Sequence, residues 1–461
     1  MPSTVPFRRT VAALAALAVA AQPLAAAAQQ GKGPQVIRDT EVEEIIHAEI
    51  DPVLLVAGLN PRDINLILIQ DEMNAATTGS RQFIIGTKLI EETDYPGELI
   101  GVMAHEAGHA AGGHPLRVSE ATRASLGPMI ISAGLGLLAL AAGAGGAGLA
   151  LLSSSPYFGA LANMGYSREQ EARADQAGLT YLEKAGLSGR GAVSFFDKFR
   201  YEEVFSEVRR FRFFVDHPIS AERVELLRRR SQTQPHFNTP EDPALVARHE
   251  IMKAKLKAFT QAPQTTFINV PETDTSFPAR YARAIAYYKA LETDRALKLI
   301  DGLIKDYPDN PYLFELKGQV YFESARPKEA EAAHGEAVRL KPDASLLQIN
   351  LAQAILAQGE GKRADDAIPH LKRALALEKD SPFAWQLLSQ AYDAKGQGGS
   401  ARLAAAEARY SIGDMKEARI FAMRAREALD KNTPEWRRAT DIVLASKPSE
   451  NDLKLIADGT G

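Results

Sequence analysis

Hydrophobic and polar positions divide the chain into three stretches. Between Gln35 and Phe259, helically spaced apolar residues alternate with one β-rich stretch, "NLILIQDEMNAATTGSRQFIIGTKLI". From 260 to 278, "TQAPQTTFINVPETDTSFP" carries no period and is rich in Pro and Thr, which predicts a linker. Beyond it, from 279 to 445, the pattern is helical and Ala-rich throughout. The expected fold is mainly α with a small β-sheet, followed by a solenoid of helices.

The solenoid rests on a period. Pro308 and Pro342 stand 34 residues apart, each closing one helix and preceding the next. That interval is the tetratricopeptide repeat length. In the following unit Trp385, Leu388 and Tyr392 match the first-helix pattern of the repeat, and "GEGKR" accounts for a few extra residues. An unrelated helical bundle would not impose such a period. Stacked repeats of this kind offer a concave surface to a protein partner.

Two other apolar runs need a different reading. Arg8 and Arg9, the run from Val11 to Ala21 and the small residues ending near Ala28 have the three regions of a secretory signal peptide, expected over 1–28. The run is shorter than the ~20 residues a membrane span needs. With no cysteine there is neither a disulfide nor a lipid-anchoring thiol, so the expected location is the periplasm. From Ala124 to Ser167 no side chain is charged, which suggests a Gly-rich lid with peripheral contact to a membrane surface or a partner. A formal charge of −4 over 461 residues, without a long basic run, argues against nucleic acid as a partner.

The chemistry concentrates in "LIGVMAHEAGHAAGGH", which holds three of the nine histidines. On a helix His105 and His109 lie one turn apart and can share an ion, with Glu106 beside them to act on a water. This is the H-E-x-x-H arrangement of zinc hydrolases. His114 does not supply the third ligand of the metzincin pattern, because the position that would need a histidine is Pro115. In "YSREQEARADQAGLTYL", Glu171 and Asp175 sit four apart, so that one carboxylate can ligate and the other can hydrogen-bond a ligand histidine. If the zinc ligands are His105, His109 and Glu171, a single membrane crossing between them is excluded, since it would divide the site. A peptide substrate is expected along an exposed edge of the "RQFIIGT" strand.

"HEAGH" followed by "SREQEARAD" resembles the M48 family of zinc metallopeptidases, whose third ligand is the glutamate of E-x-x-A-D. The resemblance extends to Asn74 and Ala75 before the zinc helix and to His217 and Arg223 in "HPISAERVELL". It implies a zincin-like domain over 35–259 with one Zn2+ per chain. With the signal peptide and repeats, it further implies endoproteolysis of misfolded outer-membrane proteins, with the barrel assembly machinery docked on the repeats. The rival expectation is a chaperone-like scaffold whose protease site is mostly repressed. For His217 two roles stand open. The resemblance implies that it can take zinc's fourth position, whereas the residue could otherwise cap a helix or touch substrate.

Overall fold

The computed structural model describes residues 35–70, 72–79, 81–113, 168–199, 217, 220–359 and 363–457. The expected signal peptide, His114 and the uncharged run 124–167 lie outside them. Among the described residues no helix is long and apolar enough to cross a membrane. The described residues up to Leu299 form one compact unit and those from Ile300 onward another.

In the first unit β1 (Val36–Ile37) leads into α1 (Thr40–Val56), capped by the Asp39 side chain on the Val42 amide. Strands β2 (Asn65–Ile69), β3 (Ala75–Thr77) and β4 (Gln82–Gly86) complete a four-stranded sheet of order β1-β2-β4-β3. Side chains alternate between its faces. Leu66, Leu68, Phe83 and Ile85 join the main core, while Ile67, Ile69 and Ile84 form a small cluster on the other side. β4 pairs with β2 in parallel and with β3 antiparallel, so "RQFIIGT" is an interior strand. This corrects the expected exposed edge. Both hydrogen-bonding sides of β4 are used within the sheet, and an edge lies on β3 instead.

α2 (Thr87–Glu92) then gives way to α3 (Pro96–Ala111). Every residue of α3 from Pro96 to Ala110 is buried, which makes it the axis of the unit. Around it stand α4 (Arg168–Lys184), α5 (Arg190–Phe199), α6 (Ala221–Gln232) and α7 (Pro243–Thr260). Antiparallel partners on α1 and α7 pair polar groups at both ends of their contact. Lys255 meets Glu41 at 3.0 Å, and His249 Nδ1 meets Glu49 Oε1 at 2.9 Å.

Within the stretch read as a linker, Pro263–Asn269 forms α8, and its Phe267 ring lies 4.7 Å from Tyr287 on α9 (Phe277–Lys289). α9, the first helix expected of the repeats, packs in the first unit. Tyr281 donates to Glu41 Oε2 at 2.9 Å, and Lys289 donates to the Ala258 carbonyl at 3.2 Å.

Repeating helices follow as α10 (Thr293–Asp306), α11 (Pro311–Glu323), α12 (Pro327–Leu340), α13 (Ser345–Leu356) and α14 (Ala364–Leu377). Then come α15 (Pro382–Ala394), α16 (Gly398–Ser411), α17 (Met415–Ala428), α18 (Pro434–Ala445) and α19 (Glu450–Ala457). From α11 to α18 each helix packs on its successor. The period reappears in the backbone. Leu291, Ala325, Gly359 and Gly396 all have positive φ just after a helix, at intervals of 34, 34 and 37 residues. A left-handed residue there ends one helix and starts the turn to the next.

α12 buries His334 against Gly318, where any Cβ would meet the ring at 2.6 Å. Burial pushes this imidazole down to about 4. The neutral ring is therefore favoured in the folded chain, while the unfolded chain takes up a proton near pH 6.5. Stability supplied by the neutral ring is complete above that pH and is lost as pH falls from about 6.5 to about 4. Acidification to pH 5 should cost the repeats about 2 kcal/mol. Thermal melts at pH 7.5 and 5 check this, with His334→Phe expected to flatten the difference. An unchanged slope in that variant would assign the acid sensitivity elsewhere.

Candidate metal centre

Close approach of helices builds the site. Gly108 on α3 faces the Ala174 carbonyl oxygen, which an added Cβ would meet at 2.7 Å, and Gly178 on α4 faces the backbone of Ala104 at 3.0 Å. These two glycines let α3 and α4 touch nearly backbone to backbone. Contact that close is what brings a carboxylate on α4 to histidines on α3.

His105, His109, Glu171 and His217 are all buried, and each offers a ligand atom within 4.8 Å of the others. His105 Nε2 stands 3.0 Å from His109 Nε2 and 3.3 Å from His217 Nδ1. Glu171 Oε1 stands 3.2 Å from His109 Nε2 and 3.1 Å from His217 Nδ1. Its other oxygen, Oε2, is 3.4 Å from His105 Nε2. Four donors placed tetrahedrally at zinc–ligand bond lengths lie about 3.3 Å apart. Three imidazoles and one carboxylate at this spacing fit a zinc ion by both geometry and donor chemistry.

A second layer fixes those donors. Asp175 Oδ1 accepts from His105 Nδ1 at 2.8 Å, which aims Nε2 into the cluster. Arg223 on α6 reaches Asp175 Oδ2 with Nε at 2.8 Å and Glu171 Oε2 with Nη1 at 2.9 Å. Phe196 on α5 packs edge-on to His105, with ring centroids 5.7 Å apart, and lies under the Arg223 guanidinium at 5.7 Å.

Electrostatics follow from this packing. Burial opposes a charge on His105, but hydrogen bonds to Asp175 and Glu171 outweigh it and push the imidazole up to about 10. Burial pushes His109 down to about 3 and so keeps its lone pair free of a proton. Glu171 is also penalised by burial, yet the three histidines hold it well below the usual carboxylate range. Asp175 is lowered too, with His105 and Arg223 outweighing burial. The pocket thus stabilises positive charge between two ionised carboxylates.

The remaining expected residues sit nearby. Glu106 is fully buried, with Oε1 3.4 Å from His217 Nε2. Asn74 is buried immediately before β3, Ala75 opens that strand, and β3 packs on α3. His217 does not cap α6, because Ser220 does so through the Arg223 amide. The sequence reading missed Phe196 and also the clamp on the start of α3. There Glu98, fully buried, accepts from Lys198 at 2.8 Å, from Ser194 at 2.7 Å and from the Asp94 amide at 2.7 Å. Only the amphipathic run "AVSFFDKF" hinted at either, and it marks a buried face without naming what that face touches.

A buried H-E-x-x-H helix completed by a carboxylate from a second helix is the core of a helical metallopeptidase. Residues 38–231 match the sequence model of peptidase family M48. It is similar to the "Beta-barrel assembly-enhancing protease" of Yersinia pestis, with 25% identity over 71% of this chain and 67% of that protein. The "Metalloprotease LoiP" of Escherichia coli (strain K12) is 33% identical over 29% of this chain and 49% of its own. Among solved structures, "MamA MSR-1 C2" covers 36% of this chain and 93% of its own at 21% identity, with a TM-score of 0.31.

Proposed function

We propose that the chain is a periplasmic zinc endopeptidase that cleaves misfolded or stalled outer-membrane proteins, with its repeats docking a protein partner of the barrel assembly machinery. The single observation that carries the metal reading is the buried four-donor cluster of His105, His109, Glu171 and His217. The biological setting rests on the similarity to proteases named for barrel assembly.

His105, His109 and Glu171 would hold the ion, and Asp175 and Arg223 would keep two of those ligands oriented. Zinc bound there would supply a Lewis acid for the scissile carbonyl and would make a water more acidic. Glu106 would accept a proton from the attacking water and return it to the leaving amine. β3 packs on the metal helix and ends the sheet, and an extended peptide would pair with its outer edge through backbone groups alone. Selection would then favour unfolded chain over any particular side chain.

One observation favours a second reading. His217 stands among the donors and beside Glu106, which suits a site held off at rest and a chain acting mainly as a scaffold.

Metal analysis tests the first reading. Purified chain should carry one zinc, and Glu171→Ala should lose most of it while keeping its helical circular dichroism. Stoichiometric zinc in the variant would remove Glu171 from the ligand set.

A further inference from the structure

Outside the metal centre, a fully buried cation lies in the last helices of the repeats. Arg426, in the final turn of α17, is 2% exposed. All three of its guanidinium nitrogens are buried without a hydrogen-bond partner. The Trp436 ring on α18 lies against it, with Cζ 4.6 Å from the centroid. The indole Nε1 of Trp436 is likewise buried with no acceptor. Glu407, the buried carboxylate of the same helix cluster, is taken by Arg438 at 2.6 and 2.8 Å.

A guanidinium does not shed its charge in a protein, so desolvating it without an anion is costly. Stacking on an aromatic face recovers only a fraction of that cost. The fork of Arg426 and the nearby indole N–H are all donors, and planar, two-oxygen acceptors satisfy such a set. Trp436, stacked over the guanidinium, is itself only partly buried, so its ring lies between Arg426 and solvent.

The geometry points to Arg426 and Trp436 as a receptor for a carboxylate of an acidic peptide, with Trp436 as the movable cover. The site is independent of the metal centre. It gives the repeats an anion-reading position that the concave surface of a solenoid does not by itself require.

The chain has two tryptophans, which makes the test direct. Trp385 donates its indole N–H to the Lys379 carbonyl at 2.9 Å and serves as the internal control. Indole 15N–1H resonances of the full chain are followed while hexaglutamate, hexaglutamine or inorganic phosphate is added. Hexaglutamate should move the Trp436 resonance saturably and leave Trp385 in place, while hexaglutamine should move neither. Arg426→Met should abolish the shift and, without ligand, melt at least as high as the parent. Arg426→Lys keeps the charge without the fork and should bind about tenfold more weakly or worse. It decides the matter if the Met variant loses the Trp385 resonance. A response to phosphate alone, no response at all, or a hexaglutamate shift that survives loss of Arg426 would overturn the proposal. So would a Met variant that keeps its Trp385 resonance but melts several degrees lower, because Arg426 would then be a structural group.

Discussion

Glu106→Gln should leave the metal content and the fold unchanged and reduce peptide hydrolysis by a factor on the order of a thousand. The amide matches the carboxylate in size and stays neutral, so the buried position is filled without strain. What is lost is the capacity to accept a proton from water. Glu106 is not among the four donors of the cluster, and zinc should therefore remain. Cleavage of casein or a quenched peptide, with zinc measured on the same sample, checks this. If the Gln variant keeps more than about a tenth of parental activity with full zinc, Glu106 is not the general base.

His217→Ala should also keep zinc, and its hydrolysis should rise about tenfold or more. The imidazole Nδ1 stands 3.3 Å from His105 Nε2 and 3.1 Å from Glu171 Oε1, close to the separation of two donors on one zinc ion. If it fills the fourth position, no water can be activated beside Glu106. Removing it leaves three protein ligands, the number typical of catalytic zinc sites. Steady-state rates and self-cleavage over time report the gain. Lower activity with zinc retained would mean that His217 assists turnover, and its 3.4 Å approach to Glu106 would then be a catalytic contact.

Much of the centre was legible because helix geometry is local. Two histidines four apart share a face whatever surrounds them, and the same spacing separates Glu171 from Asp175. Which carboxylate faces the cluster and which orients His105 follows from where α4 crosses α3. That crossing depends on Gly108 and Gly178 meeting backbone across the interface. No single helix encodes such a contact.

The sheet shows the opposite case. Alternation in "RQFIIGT" specifies a strand, but edge or interior depends on partners elsewhere, and β2 takes one side of β4 from across a crossover. Similarly, the Pro/Thr-rich stretch around α8 reads as a break in pattern, yet Phe267 finds Tyr287 only after the chain has folded back.

By itself, then, the sequence determined what short-range rules control: the helical repeat with its 34-residue period, the histidine pair one helix turn apart, and the candidate carboxylates. Only the tertiary structure decided that His217 stands within 4.8 Å of the other candidate donors, that Arg223 binds Asp175 and Glu171 together, and that Arg426 is sealed in without a hydrogen-bond partner. The first two depend on distances between segments far apart in the chain and the third on how neighbouring helices meet, and packing sets all of them.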